Sequence, residues 1–126
     1  MVTPHTAAGD DDLRQYKLDN WTHLALIDDD DGSEVTRIDL EADSRATLES
    51  DAASNPIEWL VEITSGEDGI PDSVTLSGYE LFDVATDGTA LSAVDFEDAD
   101  GNTITRELPV AGDRLEITAE LNLPLP

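Results

Sequence analysis

Residues 114–123 alternate without a break, with Leu115, Ile117, Ala119, Leu121 and Leu123 on one face and Glu116, Thr118 and Glu120 on the other. A period of two is the pattern of a half-buried strand, and a helix of period 3.6 cannot gather those apolar residues on one side. The same alternation recurs at residues 58–64, where Trp59, Val61 and Ile63 oppose Glu58 and Glu62. Residues 21–27 (WTHLALI), 34–40 (EVTRIDL, with Thr36, Ile38 and Leu40 on one face), 74–76, 79–85 (YELFDVA), 91–96 and 103–108 read as further strands. Residues 45–49 fit either a short helix or a strand. Asp31-Gly32, Asp87-Gly88, Asp100-Gly101 and Gly112-Asp113 supply turns, and Asn55-Pro56 and the run SGEDGIPDS punctuate the rest. Pro124 and Pro126 end pairing, because proline donates nothing to a ladder.

Short strands between closely spaced turn signals, with no long amphipathic helix, predict an all-β protein. The expected form is an antiparallel β-sandwich of seven to eight strands, immunoglobulin-like or jelly-roll-like. Residues 1–13, with Pro4, Gly9 and three consecutive aspartates, are expected to be an extended or flexible N-terminal arm. Residues 14–126 are expected to form a single β-sandwich domain, a size that suits one core. Aromatic residues are few, so Trp21, Trp59, Val61, Ile63, Leu81, Phe82, Leu115 and Ile117 are the expected core, and the turn dipeptides set its register.

The surface is extreme. Thirty acidic residues face six basic ones, for a formal charge of -24, and Lys17 is the only lysine. The hydrophobic fraction of 39% separates this chain from charge-driven disorder. A folded protein of this mass carries about one net charge per 270 Å², roughly 16 Å apart. The Debye length is ~10 Å at 0.1 M salt and ~3 Å at 1 M, so self-repulsion is felt in dilute buffer and quenched in brine. Acid-rich, lysine-poor composition resembles that of proteins from halophilic archaea. Such a charge argues against nucleic acid, whose phosphates are bound by positive side chains, and against anionic membrane surfaces. Without cysteine there is no disulfide, thiolate metal site or cysteine nucleophile. Residues 1–12 (MVTPHTAAGDDD) lack the basic-then-apolar order of a secretory signal.

No catalytic motif is present. His5 falls in the arm and His23 in a strand, where a satisfied structural histidine is the expected reading. HExxH, GxSxG and glycine-rich phosphate loops are absent. Paired carboxylates suit glycoside hydrolysis, but on a surface this acidic close pairs arise by chance. Hard cations want several oxygens on a tight loop, which residues 28–31 and the group Asp95, Glu97, Asp98 and Asp100 offer. Neither follows the EF-hand spacing. Asp28, Asp30, Asp98 and Asp100 are therefore read as solvated turn residues that collect loosely held Na, K, Mg or Ca cations, and no cofactor is expected.

Residues 79–91, Tyr79-Glu80-Leu81-Phe82-Asp83-Val84-Ala85-Thr86-Asp87-Gly88-Thr89-Ala90-Leu91, resemble the LFD-x-A-T-x-G-x-x-L stretch of small structural proteins of tailed viruses. Residues 114–121 resemble the closing strand of those domains, and residues 21–26 their first strand. The resemblance covers roughly residues 21–123. It implies a β-rich, non-enzymatic tail, fibre or capsid-associated protein that forms a symmetric homo-oligomer beside other virion proteins. With the salt signature, it implies a virus of a halophilic archaeon, assembled in a high-salt host cytoplasm. Residues 1–13 and 121–126 would then contact neighbours. A binding or adhesion module of a haloarchaeal cell surface, recognised by a sugar or divalent-cation ligand, is the alternative. A small two-carboxylate hydrolase is a third reading.

Overall fold

The computed structural model describes residues 7–51, 57–67 and 69–121. One helix precedes eight strands: α1 (Ala7–Asn20), β1 (His23–Asp28), β2 (Glu34–Asp39), β3 (Ala46–Ser50), β4 (Ile57–Thr64), β5 (Val74–Phe82), β6 (Ser92–Asp95), β7 (Arg106–Leu108) and β8 (Arg114–Leu121). Every strand pair is antiparallel, and the strands form a sandwich of two sheets. Sheet A runs β2-β1-β5-β6, with β7 also on β5; sheet B runs β3-β4-β8. β6 pairs with residues 78–81 and β7 with residues 74–76, so the two short strands lie in tandem along one edge of β5.

The inner faces follow the alternation. Leu24, Leu26, Ile38, Leu76 and Leu81 of sheet A meet Ile57, Trp59, Val61, Ile63, Ile117 and Ala119 of sheet B in one buried cluster. β5 explains why residues 74–76 and 79–85 read as separate runs. Val74 and Leu76 are buried in one phase and Tyr79 and Leu81 in the other, and the pairing with β1 slips between Ile27 and Asp28. A β-bulge at this point keeps one strand continuous while resetting its side-chain parity. Gly78 sits at the reset, where a Cβ would stand 2.0 Å from the Val94 carbonyl oxygen of β6. Residues 45–49 resolve in favour of a strand.

Three sequence expectations need correction. Residues 7–13 are not extended; they form the first half of α1, while residues 1–6 lie outside the described residues. The helix has no apolar stripe, with Leu13 and Tyr16 exposed, so periodicity could not reveal it. Along the helix Gln15 bonds Asp19 one turn on, and the Asn20 amide donates to the Tyr16 carbonyl. Its last turn docks through Leu18 and through Lys17, whose ammonium lies 4.7 Å from the Trp21 ring centre. Second, Trp21 precedes β1 and is only half-buried against the core, as is Leu115 in β8. Third, Phe82 is buried on the outer face of sheet A, because its neighbour Leu81 faces inward. Residues 122–126, including Leu123 and Leu125, lie outside the described residues.

Trp59 is the largest inner side chain, 6% exposed, and its indole N–H has no hydrogen-bond partner. Trp59→Ala should cost about 3–5 kcal/mol in denaturant or thermal unfolding. An unchanged midpoint would remove it from the core.

Candidate functional site

In the acidic turns the carboxylates of Asp28, Asp31 and Asp98 accept from their own backbones. Asp28 accepts from the Asp30 N–H at 2.7 Å, and Asp31 accepts from the Ser33 N–H and hydroxyl at 2.9 and 2.6 Å. The Ser33 hydroxyl and N–H hold the Asp31 carboxyl below the usual range. Between β6 and β7, Asp98 accepts from the N–H groups of Asp100 and Asn102 at 2.9 and 3.0 Å, and the Asn102 N–H leads in lowering its pKa. Asp43 is lowered chiefly by the Arg45 guanidinium, 2.8 Å away. The structure thus places Asp28 and Asp30 in one turn and Asp98 and Asp100 in another. Among the described residues, no group of three or more His, Asp or Glu side chains is disposed to hold a metal ion. His23, the first residue of β1, has Nδ1 2.8 Å from the Thr22 hydroxyl and Nε2 3.8 Å from Asp39. His5 lies outside the described residues.

The outer face of sheet A carries a feature that no motif announced. Arg37 of β2 is opposite Ala25 of β1, which is opposite Glu80 of β5. The small Ala25 lets the guanidinium cross β1 and stack 3.6 Å from the Phe82 ring centre. There it donates to the Val84 and Asp87 carbonyl oxygens at 3.0 and 2.8 Å, and it pairs with Glu34. Its side chain is 7% exposed. Asp87 and Gly88 both adopt left-handed backbone, and a Cβ at Gly88 would meet Val84 at 2.5 Å. Arg37 therefore clamps residues 83–88, the centre of the LFDVATDG stretch, over Phe82.

Sheet B presents acids instead. The register sets Glu58 opposite Glu120 and Glu62 opposite Glu116. The Glu62 N–H donates to Arg45 on the β3 side, and the Glu120 N–H donates to the Tyr79 hydroxyl. Both amides turn away from the β4–β8 seam, so these are the non-hydrogen-bonded pairs, in which side chains approach closest. Like charges directly opposite are destabilising. Arg114 relieves one, 3.1 Å from Glu62.

Beside this face a groove of about 770 Å³ separates β6 from β8. Tyr79, Val94, Phe96, Leu115 and Ile117 give its apolar lining; Asp95, Glu97, Glu116, Glu120 and Arg106 give its charged part. Burial pushes the Tyr79 hydroxyl pKa up, so it stays protonated at neutral pH. The alternating glutamates of β4 and β8 were visible in the sequence, but their direct opposition depends on strand register.

No protein-family model matches the chain, and no curated protein or solved structure matches it either.

Arg37→Ala should destabilise the fold by about 2–4 kcal/mol, combining lost charge-assisted hydrogen bonds and the stacked ring. Arg37→Lys should recover less than half of that, since lysine lacks the planar fork. Equal stability of Arg37→Lys and wild type in urea melts would show that charge alone suffices.

Proposed function

We propose that the chain is a non-enzymatic structural protein that assembles as a homo-oligomer in concentrated salt. Its place is a tail, fibre, turret or capsid-decorating position in the virion of a haloarchaeal tailed virus, beside other virion proteins. The glutamate ladder of sheet B supports the salt half of the reading most directly. Two like-charged pairs stand in the closest cross-strand geometry on a surface of net charge -24. In dilute buffer these pairs oppose the pairing that builds the sheet, and in molar salt a Debye length of ~3 Å removes most of that opposition. The virion half rests on the resemblance of residues 79–91, whose LFD-x-A-T-x-G core is the segment clamped by Arg37.

The groove between β6 and β8 favours a second reading, a binding module of a haloarchaeal cell surface. Its lining of carboxylates beside Tyr79 and Phe96 suits a hydroxyl-rich sugar, while among the described residues no three acids converge on a cation. Calorimetric titration with Ca and with oligosaccharides in high salt separates the two, because the structural reading expects no saturable heat.

Two outcomes are expected. Light scattering coupled to size exclusion should find a discrete oligomer in ~3 M NaCl that dissociates or unfolds in ~0.1 M NaCl. A monomer equally stable in both would sink the reading. Glu58→Gln, on the central strand of sheet B, should gain about 0.5–1 kcal/mol of stability at ~0.1 M NaCl and almost nothing at ~3 M. A gain independent of salt would show that the Glu58–Glu120 opposition is not electrostatic.

A further inference from the structure

The two sheets are unequal in width. Sheet A is four strands across, counting the tandem β6 and β7 as one, and sheet B is three. The deficit falls beside β8. Tyr79 of β5 bonds the outer edge of β8, so β8 lies over β5. β6 is one strand further out, and no described strand of sheet B covers it. The groove between β6 and β8 occupies the place of a fourth strand of sheet B, with Val94 and Phe96 below it.

The β8 side of the groove offers backbone as well as side chains. Proline and bulges commonly blunt a natural sheet edge. β8 has neither: it spans eight residues without proline and pairs with β4 without a register shift. Residues 114, 116, 118 and 120 form the non-hydrogen-bonded pairs with β4, so their N–H and C=O groups point away from it. Among the described residues only the Glu120 N–H finds a partner there, the Tyr79 hydroxyl at 3.3 Å. Glu116 and Thr118 are exposed.

We propose that the groove takes an extended segment of a different protein, which adds to β8 as a fourth strand and alternates apolar residues with lysine or arginine. The inference rests on the reading that the chain sits beside other proteins of one assembly, and it names that contact. Strand parity sets the pattern. Side chains of the added strand opposite Leu115 and Ile117 point inward over Val94 and Phe96, where only apolar groups are at home. Side chains opposite Glu116 and Thr118 point outward, beside Glu116 and Glu120. The charged lining as a whole is four acids, Asp95, Glu97, Glu116 and Glu120, against Arg106 alone, which selects basic side chains there. Pairing through Glu116 and Thr118 leaves the Tyr79–Glu120 bond in place. This chain cannot supply the segment. A folded second copy has its own β8 covered by its own β5. Residues 1–6, 52–56 and 122–126 each contain a proline, and neither they nor Asp68 include a lysine or arginine. The carboxylates beside the open edge repel a copy of net charge -24 and attract a basic strand, so the same groups exclude self-pairing and favour the partner.

The probe is a synthetic peptide of about seven residues, lysine and valine alternating. It is added at ~1 M NaCl, where screening suppresses long-range attraction between any cationic peptide and the acidic surface. The readout is amide hydrogen exchange followed by NMR. Exchange at Glu116 and Thr118 should slow by about tenfold or more with the alternating peptide, and stay unchanged with a peptide of the same composition whose lysines and valines are grouped. Equal protection by both peptides, or by neither, would overturn the proposal. So would protection of these amides by an oligosaccharide and not by the peptide, which would assign the groove to a sugar. Thr118→Pro removes an edge donor outside the β4 ladder, so it should melt near the wild-type temperature and lose the protection at Glu116. If it unfolds instead, the double variant Glu116→Lys, Glu120→Lys decides: it should lose the lysine–valine peptide and take a glutamate–valine one. A double variant that still prefers the lysine–valine peptide overturns the charge selection. A chain that is monomeric at every salt concentration, yet shows the protection, would remove self-assembly and leave this interface standing.

Discussion

Eight consecutive residue pairs join β4 to β8, and their parity settles the core and the surface together. The odd positions carry Ile57, Trp59, Val61, Ile63, Ile117 and Ala119 inward, and a shift of one residue would turn that row into water. The apolar burial holding the register is worth about 1.5–3 kcal/mol per large side chain. Like-charge opposition on the other face is worth less than about 1 kcal/mol per pair. Burial therefore wins, and Glu58 and Glu62 are carried opposite Glu120 and Glu116 as its consequence. The acidic ladder is the outer side of a hydrophobic decision.

Sheet A solves its outer face differently. The bulge at residues 77–78 inverts the parity of β5, and this brings Tyr79 and Leu81 inward and leaves Phe82 outside. An outward phenylalanine needs a cover, which Arg37 and residues 83–88 supply. One bulge thus connects three features distant in sequence: the Tyr79 hydroxyl at the β8 edge, the guanidinium over Phe82, and the left-handed Asp87-Gly88 turn. Without the parity change, Tyr79 would point to solvent and the β8 edge would lose its internal contact.

Strand existence was legible because alternation survives in β4 and β8, and the turns were legible because glycine marks them. The interior of β5 was legible only in halves, since a bulge looks in sequence like a break between two strands. Helix α1 was not legible. Gln15–Asp19 and Asn20–Tyr16 hydrogen bonds run along it, and Lys17 and Leu18 of its last turn pack inward, a pattern with no apolar stripe to read. Residue type alone assigns Phe82 to the core, and only its adjacency to Leu81 across a reset phase puts it on the outer face. Composition alone singles out the candidate cation residues Asp28, Asp30, Asp98 and Asp100. Their geometry shows the Asp28 and Asp98 carboxylates accepting the N–H groups of Asp30 and Asp100 in their own turns, a use that short Asp-rich loops favour on conformational grounds. The cross-strand glutamate pairs needed a register, which no single strand encodes.

Salt acts on this molecule through two separable routes. Uniform self-repulsion depends on net charge and decays with the Debye length whatever the register. The cross-strand pairs are local, and removing one carboxylate abolishes one of them while changing the net charge by a single unit in 24. Substitution of an acid outside the ladder, such as the exposed Glu107 of β7, changes the net charge equally and leaves the pairs intact. The salt dependence of stability in these two kinds of variant therefore separates uniform self-repulsion from local opposition across β4 and β8. Burial holds the register in either case, so the ladder bears on how much stability dilute buffer costs and not on whether the two strands pair.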